Sequence, residues 1–136
     1  MTQRPIRLVR QAHSTSCGIA CAAMLAGKPF SALLRVYREE WPEDKTYWTE
    51  FRHVQRLLSP VDVRLRPARY AKSIGGIRSR ALVAIHYKPR QHHWHWVVID
   101  PSHSPNIVFD PRSKRVNGRR DLASMRPGWY HTVKGT

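Results

Sequence analysis

Acidic residues are scarce in this chain. Nine Asp and Glu stand against 24 Lys and Arg in 136 residues, a formal net charge of +15. A balance of that sign and size directs the molecule toward acidic partners, whether nucleic acid, an anionic membrane surface or an acidic protein. The cations are dispersed through the whole sequence, however, and no zinc finger, RNP-like aromatic segment or other nucleic-acid motif accompanies them. Specific base reading is therefore not expected, and the expected nucleic-acid affinity is weak, non-specific and carried by the phosphate backbone.

Long apolar runs are also missing. No stretch of about eighteen apolar residues is present, so no membrane span is expected. The opening Met1-Thr-Gln-Arg-Pro5 has no apolar region, so no secretory leader is expected either. The expected location is the cytoplasm, or the inside of a target cell into which the protein is delivered. Cysteine occurs only at Cys17 and Cys21; four residues apart on an apolar segment, the pair does not read as a disulfide, which fits a reducing compartment. His86, His92, His93 and His95 add metal-ligand types, but no CxxC pair or HExxH spacing closes a zinc shell. Neither a metal nor another cofactor is expected. Repeats, low-complexity tracts and linkers are absent too, and 41% hydrophobic residues suffice for one independent core, so residues 1–136 read as a single domain.

What the sequence does have is a nucleophile at the start of a helix. In Ser14-Thr-Ser-Cys17-Gly-Ile-Ala-Cys-Ala-Ala-Met-Leu-Ala-Gly27, three capping-type residues precede Cys17 and an apolar helix runs to Gly27. Unpaired N–H groups and the positive helix end favour a thiolate at that position. Cys21, one turn further in, reads as a small buried hydrophobe.

Partners for Cys17 lie far along the chain. His92-His-Trp-His-Trp-Val-Val-Ile-Asp100 alternates as a strand, with His93, His95, Val97 and Ile99 on one face and His92, Trp94, Trp96, Val98 and Asp100 on the other. Asn106-Ile-Val-Phe-Asp110-Pro111 is a shorter strand that delivers Asp110 at its end. A thiolate, an imidazole and an orienting carboxylate brought together by a fold form the Cys-His-Asp variant of nucleophilic catalysis. Asp100 competes with Asp110 for the last role. It has the opposite parity to His95, and Asp100-Pro-Ser-His-Ser-Pro reads as a turn, so Asp110 is preferred.

Gln11 six residues before Cys17, the Cys17-Gly-x-Ala-Cys-x-x-Met segment, His95-Trp-Val-Val-Ile and Phe-Asp110-Pro together resemble a known family. It is the papain-like peptidase domain of bacteriocin-processing ABC transporters, which removes double-glycine leader peptides. The resemblance spans roughly residues 3–112 and implies Cys17 as nucleophile, His95 as base, Asp110 as the residue orienting His95, and Gln11 as side-chain donor of the oxyanion hole. Gln11 also suits that role chemically: its amide NH₂ can donate to a developing oxyanion beside the Cys17 N–H, an effect worth about 3–4 kcal/mol in such sites. Ser16 departs from the acidic residue that commonly precedes the cysteine in that family.

The layout expected from periodicity is helices first, strands afterwards. Ile6-Arg-Leu-Val9 reads as a short first strand, followed by the Cys17 helix, a helix from about Ser31 to Glu40 stopped by Pro42, and a third from about Lys45 to Leu58. Val61-Asp-Val-Arg-Leu-Arg66, Ala81–Tyr87, the His95 and Asp110 strands, a short helix near Arg120–Met125 and a last strand over Trp129–Val133 complete the chain. Helices segregated from a mainly antiparallel sheet make an α+β domain, and a cysteine helix docked on a histidine-bearing sheet is the papain-like plan that the resemblance implies. The expected function is a stand-alone cysteine peptidase cleaving a protein or peptide, in the setting of leader processing, a protease toxin or a phage protein. Deamidation or transfer by the same three residues is one alternative. A basic nucleic-acid-binding module with a structural Cys17 is the other.

Overall fold

The computed structural model describes residues 4–101, 108–113 and 127–135. Three helices come first: α1 (Cys17–Ala26), α2 (Phe30–Glu40) and α3 (Phe51–Leu58). Four strands follow, β1 (Ala81–Lys88), β2 (His93–Ile99), β3 (Val108–Phe109) and β4 (Pro127–Thr132), paired antiparallel in the order β3-β2-β1-β4. The helices pack on this sheet, with α1 against β2 on one side and against α2 and α3 on the other. The architecture is the expected α+β one.

The α1 helix is the hydrophobic centre. Every residue from Cys17 to Leu25 is buried, which its small side chains allow because Ala20, Ala22 and Ala23 let neighbouring elements approach closely. Gly27 ends it in the left-handed conformation (φ 67°), its N–H returning to the Met24 carbonyl. The start differs from expectation. The Ser16 hydroxyl bonds backward to the His13 N–H and carbonyl, each at 3.0 Å, and no side chain caps α1.

Strand alternation appears as two cores. Trp96 and Val98 join Leu82, Ala84 and the helices, while Val97 and Ile99 join Val83, Ile85, Val108, Ile74 and Ile77 on the opposite side. The β1–β2 register runs regularly to Ile85↔His95, then shifts so that Lys88 meets His93, with His86 at φ 54°. Such a bulge re-aims side chains near the end of a ladder, and here it falls beside the histidine pair.

Three expected elements differ. The third helix begins at Phe51 instead of near Lys45: the Asp44 carboxylate accepts the Thr46 N–H (2.8 Å) and hydroxyl (2.7 Å), and Tyr47 takes φ 58°, so a turn replaces the first helical residues. Residues 61–66 form no named strand. Asp62 is left-handed (φ 57°), and only scattered bonds, such as Arg66 N–H to the Thr132 carbonyl at 2.8 Å, tie the segment to β4 and its continuation. Ile6-Arg-Leu-Val9 has no regular structure, although Ile6 is buried. The expected helix near Arg120–Met125 lies outside the described residues.

Candidate active site

Cys17 is the first residue of α1, so its side chain is presented at the helix's N-terminal end. Two contacts hold it there. The Trp96 backbone N–H donates to the Cys17 sulfur at 3.5 Å, and Gly18 lets the chain at Thr49 approach so closely that a Cβ on residue 18 would lie 1.7 Å from Thr49 Oγ1. The Trp96 indole donates to the Thr49 carbonyl at 2.9 Å, and the Thr15 hydroxyl donates to the Thr46 carbonyl. The start of α1, the 46–49 segment and β2 thus lock one another in place.

His95 occupies the strand residue immediately before Trp96, and Asp110 follows β3. Continuing the Val98↔Phe109 register by one step sets Asp110 opposite Val97, on the strand face that His95 shares. His95 Nε2 and Asp110 Oδ1 are 2.6 Å apart, with the side chains 3% and 0% exposed, too buried for water to replace the contact. With Nε2–H donating a hydrogen bond to the carboxylate, Nδ1 is the nitrogen left to Cys17. Nδ1 makes no formed hydrogen bond, while the Cys17 thiol lies close enough to act on His95's ionisation. Burial, the largest single influence, lowers the imidazole pKa. The hydrogen bond to Asp110, the nearby Cys17 thiol and the charges of both groups together outweigh it, and His95 ends above its ordinary value.

The neighbouring titratable groups separate cleanly from this set. Cys21 is fully buried, and burial pushes its thiol pKa up, with further upward contributions from Cys17 and Asp110. His93 is exposed and stacks on Trp48 at 4.9 Å; burial, then Lys88, Arg112 and His95, lower its pKa. Asp100 is committed elsewhere, since its Oδ2 accepts both Nη2 (2.6 Å) and Nε (3.1 Å) of the buried Arg80. No group of three or more His, Cys, Asp or Glu suited to a metal ion occurs among the described residues.

Gln11 lies on the loop that precedes α1. Its N–H donates to the Pro111 carbonyl at 3.1 Å, one residue past Asp110, while its side-chain amide donates to the carbonyls of His13 (2.7 Å) and Ser14 (3.0 Å). Arg112 was not anticipated. Its backbone N–H donates to Asp110 Oδ1 at 2.9 Å and its guanidinium to the Ser14 carbonyl at 3.1 Å, so it connects the carboxylate to the loop that carries the cysteine. The available signal was Asp110-Pro-Arg itself: a proline after a strand-end aspartate starts a turn, closed here by Ser113 N–H on the Asp110 carbonyl at 3.0 Å.

No family model and no curated protein sequence matches the chain. Solved structures do. The chain is similar to a double glycine motif protease from an AMS/PCAT transporter, solved in complex with the leader peptide: 14% identity over 97% of this chain and 93% of that one, with a TM-score of 0.66. It is also similar to the peptidase domain of Streptococcus ComA, a bifunctional ABC transporter involved in a quorum-sensing pathway, at 18% identity over 95% of this chain and 98% of that one, TM-score 0.58. At these identities the likeness establishes a shared fold, three helices on a four-stranded antiparallel sheet running nearly end to end.

Proposed function

We propose that this protein is a cysteine peptidase that cleaves a protein or peptide through an acyl-enzyme, with Cys17 as nucleophile, His95 as base and Asp110 as the residue orienting His95. The observation that carries the reading is the buried 2.6 Å contact between His95 Nε2 and Asp110, made by an imidazole whose other nitrogen is left to Cys17. His95 takes the thiol proton, and the sulfur attacks the scissile carbonyl. The tetrahedral oxyanion receives the Cys17 N–H at the uncapped start of α1 and the Gln11 amide, which moves off the His13 and Ser14 carbonyls to donate. His95 then protonates the leaving amine, and water releases the acyl group.

A peptide substrate is supported by the shared fold with a protease bound to a leader peptide. The cationic surface favours acidic sequences, and the reading is of a single unit acting without metal or cofactor. Two measurements test it. Mass-mapped iodoacetamide labelling at mildly acidic pH is expected to modify Cys17 and spare Cys21; labelling of Cys21 first, or of both equally, would count against the dyad. Comparison of proteins shortened by the wild type and by Cys17→Ala should yield peptides hydrolysed with uptake of one water. A Cys17→Ala protein that still shortens the same targets would sink the peptidase reading.

A further inference from the structure

A well-formed cavity lies away from Cys17. It has a volume of about 640 Å³ and is walled by the last turn of α1, the Gly27–Pro29 corner and the segment from Arg4 to Val9. At 1.5 Å rise per residue, the length of α1 separates it from the cysteine by about 14 Å. Its charge is of one sign: Arg4, Arg7, Lys28 and Arg80 line it, and among the described residues no acidic side chain does.

The four cations differ in state. Arg80 is neutralised by Asp100, and its Nη2 also donates to the Arg4 carbonyl at 2.6 Å, which fixes the backbone of the opposite wall. Arg4, Arg7 and Lys28 are exposed, and none has an ion-pair partner among the described residues. The Arg4 guanidinium lies over Gly27, where a Cβ would come 2.7 Å from its Nη1. The floor is aliphatic: Met24 and Leu25 are buried side chains, and Val9 and Pro29 continue the surface. Among the described residues, no aromatic ring lines the cavity to stack on a base or sugar.

Unpaired cations around an aliphatic floor match one ligand chemistry. We propose that this cavity is a binding site for a small organic anion with a single aliphatic chain, its phosphate or carboxylate head held by Arg4, Arg7 and Lys28 and its chain lying on Val9, Met24 and Leu25. The volume falls within the range of small-molecule sites. A bare inorganic anion leaves the floor unused, and a neutral alkyl chain leaves the cations unmatched. The site is independent of the chemistry at Cys17.

Isothermal titration of the full chain with dodecyl phosphate, kept below its micelle concentration, tests the proposal. Saturable one-to-one binding is expected. Affinity should rise about three- to fourfold per methylene from butyl to dodecyl phosphate until the floor is covered. The exposed pair Arg7→Glu/Lys28→Glu should weaken it by at least about tenfold, whereas Arg52→Glu/Arg69→Glu, an equal change in net charge elsewhere on the surface, should alter it by less than about twofold. Circular dichroism of both pairs confirms that the fold is retained. Equal loss in the two pairs would show general attraction to a +15 molecule and overturn the site. So would inorganic phosphate binding as tightly as the alkyl ester, or binding only to phosphatidylglycerol vesicles and not to the monomeric amphiphile.

Discussion

Two aspartates on the same two-strand unit have opposite duties, and one substitution at each separates them. Asp110 Oδ1 meets His95 Nε2 and the Arg112 N–H, while Asp100 Oδ2 neutralises Arg80. The Asp110 contacts help raise the His95 pKa against the opposing effect of burial, so imidazolium persists above the ordinary 6.5. The alkaline limb of kcat/KM, where the thiolate–imidazolium pair loses its proton, is therefore expected above that value and should move down in Asp110→Asn, with measurable residual turnover. An unmoved limb would remove Asp110 from its assigned role. Asp100→Asn should leave the limb in place but strand the Arg80 charge, at a cost of about 3–5 kcal/mol in a denaturant melt. Gln11→Ala is expected to lower kcat by about 10²–10³ with little change in KM, because an oxyanion donor acts only in the transition state. If Gln11 served only to brace the His13–Ser14 loop, stability and KM would change instead of kcat.

The elements that the sequence made legible are those with a strong single period or a hard stop. α1 and α2 appear within a residue of expectation because Gly27 and Pro42 end them, and β1 and β2 because their β-branched and aromatic runs are continuous. The illegible parts are settled by side-chain bonds that periodicity does not carry. Asp44 capturing Thr46 converts the expected first turn of α3 into a loop, and Pro67 after Arg66 leaves the 61–66 segment too irregular for a ladder. Cys17, His95 and Asp110 were readable as residue types at strand and helix ends. The use of Arg112 and of the Trp96 N–H was not, since both depend on how two loops meet in space. Gly18 shows how tight that meeting is. Gly18→Ala would drive a methyl into Thr49 Oγ1, so overpacking of about 1–3 kcal/mol and a displaced Cys17 are expected. Thr49→Ala in the same chain should restore part of the melting temperature, because Oγ1 is the nearest clash. Full stability in the single variant would show that α1 and the 46–49 segment are not locked together.

At the scale of the whole molecule, the charge of +15 and the buried histidines act on stability through the same variable, pH. His131 is 2% exposed, stacked on Phe51 at 3.9 Å, and bonded through Nδ1 to the Arg66 carbonyl; burial lowers its pKa more than that bond raises it. His53, also buried, is lowered by burial first and by Arg52 next. Between 6.5 and their folded values, the unfolded chain binds protons that the folded chain refuses, so stability falls as pH drops through that window. His95 works in the other direction. Its pKa is raised by folding, so its contribution is complete below 6.5 and is lost as pH climbs through the folded value. The melting temperature should therefore pass through a maximum near neutrality and decline on the acid side, where each proton also adds to a net positive surface. Salt distinguishes the two causes. Raising ionic strength to about 0.5 M screens surface repulsion but leaves the burial of a charged imidazole uncompensated, so it should recover only part of the acid loss. His131→Phe preserves the ring against Phe51 and removes the proton site, and it should flatten the remaining acid slope. A melting temperature that stays level from pH 7.5 to 5, or an acid loss that salt abolishes completely, would show that the buried histidines do not set the pH response of this fold.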